Sequence, residues 1–124
     1  MSSEDLDLIH EWIRRWRAGE PLADLVAPDY RGSGEPTPFH EVEGRTADER
    51  RASIQSDVDV TFRDVVDGTQ GRVVFEAVWS HDLPNGQAGS AGLFWGVAQV
   101  ERQRIRSVAY YQDPAAARRA AGLL

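Results

Sequence analysis

The chain predicts an α+β domain in which helices come first and an antiparallel strand meander follows. Three observations carry that expectation. Apolar residues recur at helical spacing over residues 4 to 18, the apolar period drops to two from Asp57 onward, and Asp67-Gly68 and Asn85-Gly86 supply turn signals in the second half. Helices segregated from an antiparallel run define the α+β class. At 124 residues the chain is expected to form one domain spanning 1–124, long enough to bury a core of its own.

Each element has a local cause. Leu6, Ile9, Ile13 and Trp16 fall three and four apart, Leu8 and Trp12 widen the stripe, and Ala18-Gly19 supplies a stop. Pro21 is placed to open a second short helix through Leu22, Leu25 and Val26, which Pro28 closes. Residues 29 to 44, rich in Gly and Pro, read as a short strand and a long loop; loops of that length are often functional, and a plain surface connection is the competing expectation. Thr46-Ala47-Asp48-Glu49 is a capping box that starts a helix to about Gln55, with Ala52 and Ile54 inward.

The strands follow. Val58, Val60 and Phe62 alternate with Asp59, Thr61 and Arg63, so one face is wet. In Arg72 to Asp82 the odd positions Val73, Phe75, Ala77 and Trp79 are apolar, while Glu76 and Ser80 mark the other face. Ala91 to Glu101 is apolar on both faces in its middle, and Ile105 to Gln112 is the last strand, followed by a helical tail from Ala115 to Leu124. A strongly curved sheet wrapped around the N-terminal helices would let Trp12 and Trp16 meet Trp79 and Trp95.

Composition narrows the function classes. The net charge of −6 argues against nucleic acid, which needs a basic face, and against an anionic membrane surface. No apolar run approaches the roughly 20 residues of a membrane span, and the acidic N-terminus lacks a signal-peptide pattern, so a cytoplasmic location is expected. There is no cysteine, which excludes disulfides and thiolate chemistry. All 14 basic residues are arginine, which excludes Schiff-base chemistry and a P-loop lysine. His10, His40 and His81 sit in no metal-ligand motif, and no Gly-rich fingerprint for a nicotinamide or flavin appears, so neither metal nor cofactor is expected.

The order of elements resembles the nuclear transport factor 2-like superfamily, and within it the SnoaL-like polyketide cyclase group. The resemblance covers nearly the whole chain. It rests on Trp16-Arg17-Ala18-Gly19, Leu25-Val26-Ala27-Pro28-Asp29-Tyr30, Gly44-Arg45, Val65-Val66-Asp67-Gly68, Ser80-His81 and Tyr111-Gln112-Asp113, in that order and at that spacing. It implies a cone-shaped antiparallel sheet around a hydrophobic pocket, often in a homodimer. The superfamily includes cyclases, isomerases, epoxide hydrolases, dehydratases and binders without chemistry, so the fold alone does not name a reaction.

Asp113 matches the position of the acid/base aspartate of SnoaL-like cyclases, and a carboxylate walled by aromatics suits proton transfer near neutral pH. The competing role is a helix N-cap, because Asp113-Pro114-Ala115-Ala116-Ala117 is a strong helix start. His81 continues the apolar parity of its strand and is a natural proton carrier, against a local pairing with Asp82 at a hairpin end. Tyr111 shares strand parity with Asp113; Tyr30, Tyr110 and Tyr111 are candidate hydrogen-bond donors to a carbonyl or enolate, against plain packing. Trp12, Trp16, Trp79 and Trp95 are candidate pocket walls, and Gln99 is a candidate polar pocket group against a surface residue at a sheet end. Arg102, Arg104 and Arg106 alternate on one strand face, which favours a solvated, ion-paired face over an anion site. Relatives often carry a histidine or an acid on the first strand; here the positions read Arg31-Gly32-Ser33-Gly34.

The resulting expectation is a cofactor-free general acid/base enzyme of the cyclase or isomerase type, acting on a hydrophobic polyketide-like or polycyclic molecule, with Asp113 assisted by Tyr111 or His81. The alternative is a non-catalytic small-molecule-binding or dimeric accessory protein. If Asp113 is spent on helix amides and the cavity holds no other buried ionisable group, the alternative is favoured.

Overall fold

The computed structural model of the chain describes residues 2–34, 46–55, 58–81, 89 and 91–124. Helix α1 (Ser2–Ala18) is followed by a single 3-10 turn (Ala23–Leu25), strand β1 (Val26–Gly34) and helix α2 (Ala47–Gln55). Strands β2 (Asp59–Asp67), β3 (Arg72–Ser80), β4 (Ala91–Glu101) and β5 (Arg104–Tyr111) then run into helix α3 (Pro114–Ala120). The strands form one curved, open sheet in the order β1-β5-β4-β3-β2, so the α+β expectation holds.

β2 to β5 pair antiparallel, as a meander must. β1 lies beside β5 and runs parallel to it, with Gly32 opposite Val108 and Gly34 opposite Tyr110. The sheet is therefore mixed at this edge, where a fully antiparallel one was expected. β1 reaches β5 through a crossover that includes α2, and a parallel neighbour is what such a crossover allows. Register slips fall between Arg63 and Val66 and between Gln99 and Val100. Irregularities of this kind bend strands and raise their twist.

Two further expectations are corrected. Pro21 opens no second helix beyond the one 3-10 turn; the Leu22 amide donates to the Asp48 carboxylate at 2.9 Å instead. Pro28 lies inside β1, on a sheet edge, where a missing N–H is tolerated. The capping box forms as its sequence requires: the Glu49 amide donates to Thr46 Oγ1 and the Thr46 amide to Glu49 Oε1, each at 3.1 Å. On α2 the inward residues are Ala47, Arg50 and Ile54, while Ala52, expected inward, is exposed.

The sheet has two apolar faces. On the α1 face, Trp12 sits 5.4 Å from Phe62 and 5.9 Å from Phe75, and Trp16 meets Phe62 edge-on at 5.0 Å, measured between ring centroids. Phe94 and Tyr110 meet edge-on at 5.4 Å in the same core. Phe75 is fully buried, and its ring occupies the space that a side chain at Gly96, its partner across β4, would fill. On the opposite face Val74 and Val97 pack against Ala117 and Ala121, with Trp95 and Tyr111 alongside. The partners of Trp12 and Trp16 are thus phenylalanines. Trp79 packs at the margin of the α1-face core and Trp95 lies across the sheet from it.

α1 carries its charges on the outer side. Glu11 receives Arg14 and Arg15, and those hydrogen bonds, Arg14's first, pull its carboxyl down from 4.5 to about 2. Phe75 is the residue on which the core converges. Phe75→Ala is expected to cost about 3–5 kcal/mol of unfolding free energy, read from urea denaturation, as a deleted core aromatic does.

Candidate functional site: a cavity at the seam of β1 and α2

A cavity of about 740 Å³ opens where β1 and the start of α2 face each other. Val26, Ala27 and Pro28 give it an apolar wall; Tyr30, Gly32 and Arg50 form the end nearest the core. The volume is in the range of small-molecule sites.

Arg50 is 6 % exposed and is the one buried charged side chain among the described residues. The capping box starts α2 at Ala47, so Arg50 and Ile54, four apart, share its inward face. The guanidinium then needs room against β1. Gly32 provides it: a Cβ at that position would overlap both terminal nitrogens and the central carbon of the guanidinium. A glycine inside a strand often marks such a close approach.

Tyr30 and Tyr110 complete the cluster. Burial raises the Tyr30 phenol above its usual range, and the Arg50 charge acts in the opposite sense. Burial raises Tyr110 further; Tyr30 adds to that rise, and Arg50 again opposes it. Both phenols therefore stay protonated at neutral pH and can donate, and arginine is always charged and donates only. This end of the cavity can hold and polarise an oxygen atom. Among the described residues, this end holds no group that would accept a proton near neutral pH.

The cavity also carries Asp29, Arg31, Asp48 and Arg104. Both carboxylates are engaged. Asp48 accepts from the Leu22 amide at 2.9 Å and lies 3.4 Å from Arg51, and Asp29 lies 3.5 Å from Arg106.

Of the candidate residues named from the sequence, Tyr30 lines this cavity, as does Arg104, for which a solvated face was the favoured expectation. Asp113 is exposed and caps α3, its carboxylate accepting from the Ala116 amide at 3.1 Å, with Pro114 in the first turn. Tyr111 lies on the α3 face, as its shared parity with Asp113 requires, and that face is turned away from the α1-face core. His81 is exposed just past β3, and Asp82, its expected local partner, lies outside the described residues. Trp12 and Trp16 are core residues. Trp95 belongs to the α3 face; Gln99 donates to the Gln70 carbonyl at 2.9 Å and accepts from Arg72 at 3.4 Å. Asp113, Tyr111 and His81 are not brought together with Tyr30. Arg50 is the residue that the sequence reading missed. Its signal was present in two parts: a four-residue spacing to Ile54, and a glycine in the middle of β1.

No helix among the described residues is long and apolar enough to cross a membrane, and no group of His, Asp and Glu among them could hold a metal ion. No protein-family model matches the chain, and no curated protein does. Solved structures do match. An NTF2-like protein of unknown function from Burkholderia pseudomallei K96243 is similar at 14% identity, over 96% of this chain and 98% of that one, with a TM-score of 0.64. A putative SnoaL-like polyketide cyclase from Jannaschia sp. CCS1 is similar at 13% identity, over 98% and 94%, with a TM-score of 0.61. TerC, co-crystallized with polyporic acid, is similar at 10% identity, over 92% and 95%, with a TM-score of 0.65. At these identities the likeness establishes the fold: the chain folds as an NTF2-like protein, in agreement with the expectation.

Two outcomes follow from the site geometry. Asp113→Ala is expected to lower unfolding free energy by about 1 kcal/mol, the worth of a helix N-cap, in chemical denaturation at pH 7. Tyr30 and Tyr110 keep their protons in the folded state above the ordinary phenol value of 10.0. Unfolded chains release those protons first, so stability is fully present below pH 10 and falls as pH rises beyond it. Phenolate absorbance recorded during alkaline unfolding is expected to include a component that appears only with loss of the fold.

Proposed function

We propose that this chain binds a hydrophobic, polyketide-like small molecule in the β1–α2 cavity, with Tyr30 and Arg50 orienting a ligand oxygen. The observation that carries the proposal is the buried guanidinium of Arg50 on Gly32, at the inner end of a cavity with an apolar wall. An apolar wall with a few convergent polar groups is how ligand sites are built. A fold neighbour co-crystallized with polyporic acid supports a small organic ligand for this fold.

The acid/base cyclase or isomerase is the second reading, supported at the level of fold by the SnoaL-like neighbour. It needs a proton acceptor at the ligand. Asp113 is committed to the Ala116 amide, and Asp29 and Asp48 are engaged elsewhere. Among the described residues, then, binding is the reading that the geometry supports better, and no metal or cofactor is invoked for it. The homodimer implied by the fold resemblance belongs to the same proposal; the exposed Val66 and Leu93 support a contact surface on the sheet.

The test is NMR shift mapping with a panel of fused-ring aromatic compounds, neutral and acidic. Shifts are expected at residues 26 to 32 and 46 to 50, and unchanged affinity is expected for Asp113→Asn. Shifts centred on residues 111 to 116, or binding that disappears in Asp113→Asn with the fold intact, would return the site to Asp113. Light scattering is expected to report a mass of two chains.

A further inference from the structure

The α3 face of the sheet carries both a hollow and a projection. The register slip between Arg63 and Val66 bends β2, while α3 packs on β4 and β5. Between β2 and α3 lies a cleft of about 570 Å³, with Val66, Val74, Trp95 and Ala117 in its apolar lining. The strands and the helix that form it are described along their whole length. The large apolar side chains exposed among the described residues are Val66, Leu93 and Leu124. Leu93 is 48 % exposed. It shares strand parity with Trp95 and Val97, so it stands on the same face as the cleft, two residues from the cleft wall at Trp95.

Resting on the homodimer reading above, we propose that a second copy of this chain covers this face, and that Leu93 of each copy seats in the β2–α3 cleft of the other. A two-fold contact needs a surface that complements itself. A projection and a hollow on one face supply that. The register places the axis. Leu93 lies opposite Val78, and Val66 lies opposite Val74. A two-fold that exchanges Leu93 with Val66 therefore passes close to Glu76, midway between them on β3. The local charges allow that approach. Two chains of net charge −6 repel each other, so copies meet most readily where charge is already neutralised. Glu76 accepts from Arg63 at 2.6 Å, and Arg63 also lies 3.9 Å from Asp64. Each copy thus brings a neutralised pair to the axis. Arg118, the remaining charged lining group, presents a positive charge to an acidic copy. Val78 and Trp95, both half-buried, flank the same path and lose water together with Leu93.

The chain has no cysteine, so introduced thiols report this contact alone. Oxidising a mixture of Leu93→Cys and Val66→Cys chains is expected to give the mixed disulfide dimer, because the two-fold brings position 93 of one copy to position 66 of the other. Each variant oxidised by itself is expected to stay largely uncrosslinked, since the axis holds equivalent positions apart. Leu93→Ser alters an exposed position of the single chain, so the fold is expected to survive. Association is expected to weaken by at least about a hundredfold in analytical ultracentrifugation, because the dimer makes the contact twice. A mass of one chain for the unaltered protein overturns the homodimer reading and this contact with it, and leaves the cleft to another occupant. Three results overturn the Leu93 seat while the homodimer reading stands: a mass of two chains that persists in Leu93→Ser, a Leu93→Cys chain that crosslinks to itself as readily as the mixture does, or Val66→Cys that crosslinks to Leu124→Cys instead.

Discussion

Arg50 is buried against a strand that has no side chain at the point of contact, and much of this end of the molecule is arranged around that fact. A buried guanidinium is costly unless its environment is polar and well fitted. The fit constrains the sequence on both sides. β1 must carry a glycine at position 32. α2 must start where the capping box starts it, so that residue 50 turns inward with Ile54. The neighbouring phenols are held protonated by burial, so the described side chains at this end of the cavity are hydrogen-bond donors.

The second organising constraint is the parity of the strands. The sheet is apolar on both faces, and the two faces have separate partners: α1 with its two tryptophans on one side, α3 on the other. Asp113 and Tyr111 fall with α3, while Tyr30 and Tyr110 fall with the α1-face core. Groups that look close in a list of polar and aromatic residues are thereby divided by the thickness of a sheet. The division also explains why the aspartate is a cap: α3 packs across β4 and β5, and its first turn needs an acceptor where β5 ends.

How much of this was legible in the sequence depends on the kind of signal. The stripe of α1, the alternation of β2 and β3 and the capping box at Thr46 are local patterns, and each produced the element it announced. The direction of β1 was not local: it depends on which strand lies beside it after a crossover. Residues 91 to 101, apolar on both faces, contained no information on whether Trp95 or Phe94 faces α1. At Asp113 two local roles were open, and the cap announced by the Pro-Ala-Ala-Ala that follows is formed. The cavity was the least legible feature. It joins an arginine on one element to a glycine on another, and neither residue type in isolation announces a site.

The most direct measurement is the side-chain NMR signal of Arg50. The account predicts an arginine Nε–H resonance that is protected from solvent exchange, vanishes in Arg50→Met, moves in Gly32→Ala, and shifts again when a fused-ring aromatic ligand is added. An Arg50 resonance that exchanges as freely as those of surface arginines, and that ignores both the glycine substitution and the added ligand, would contradict it.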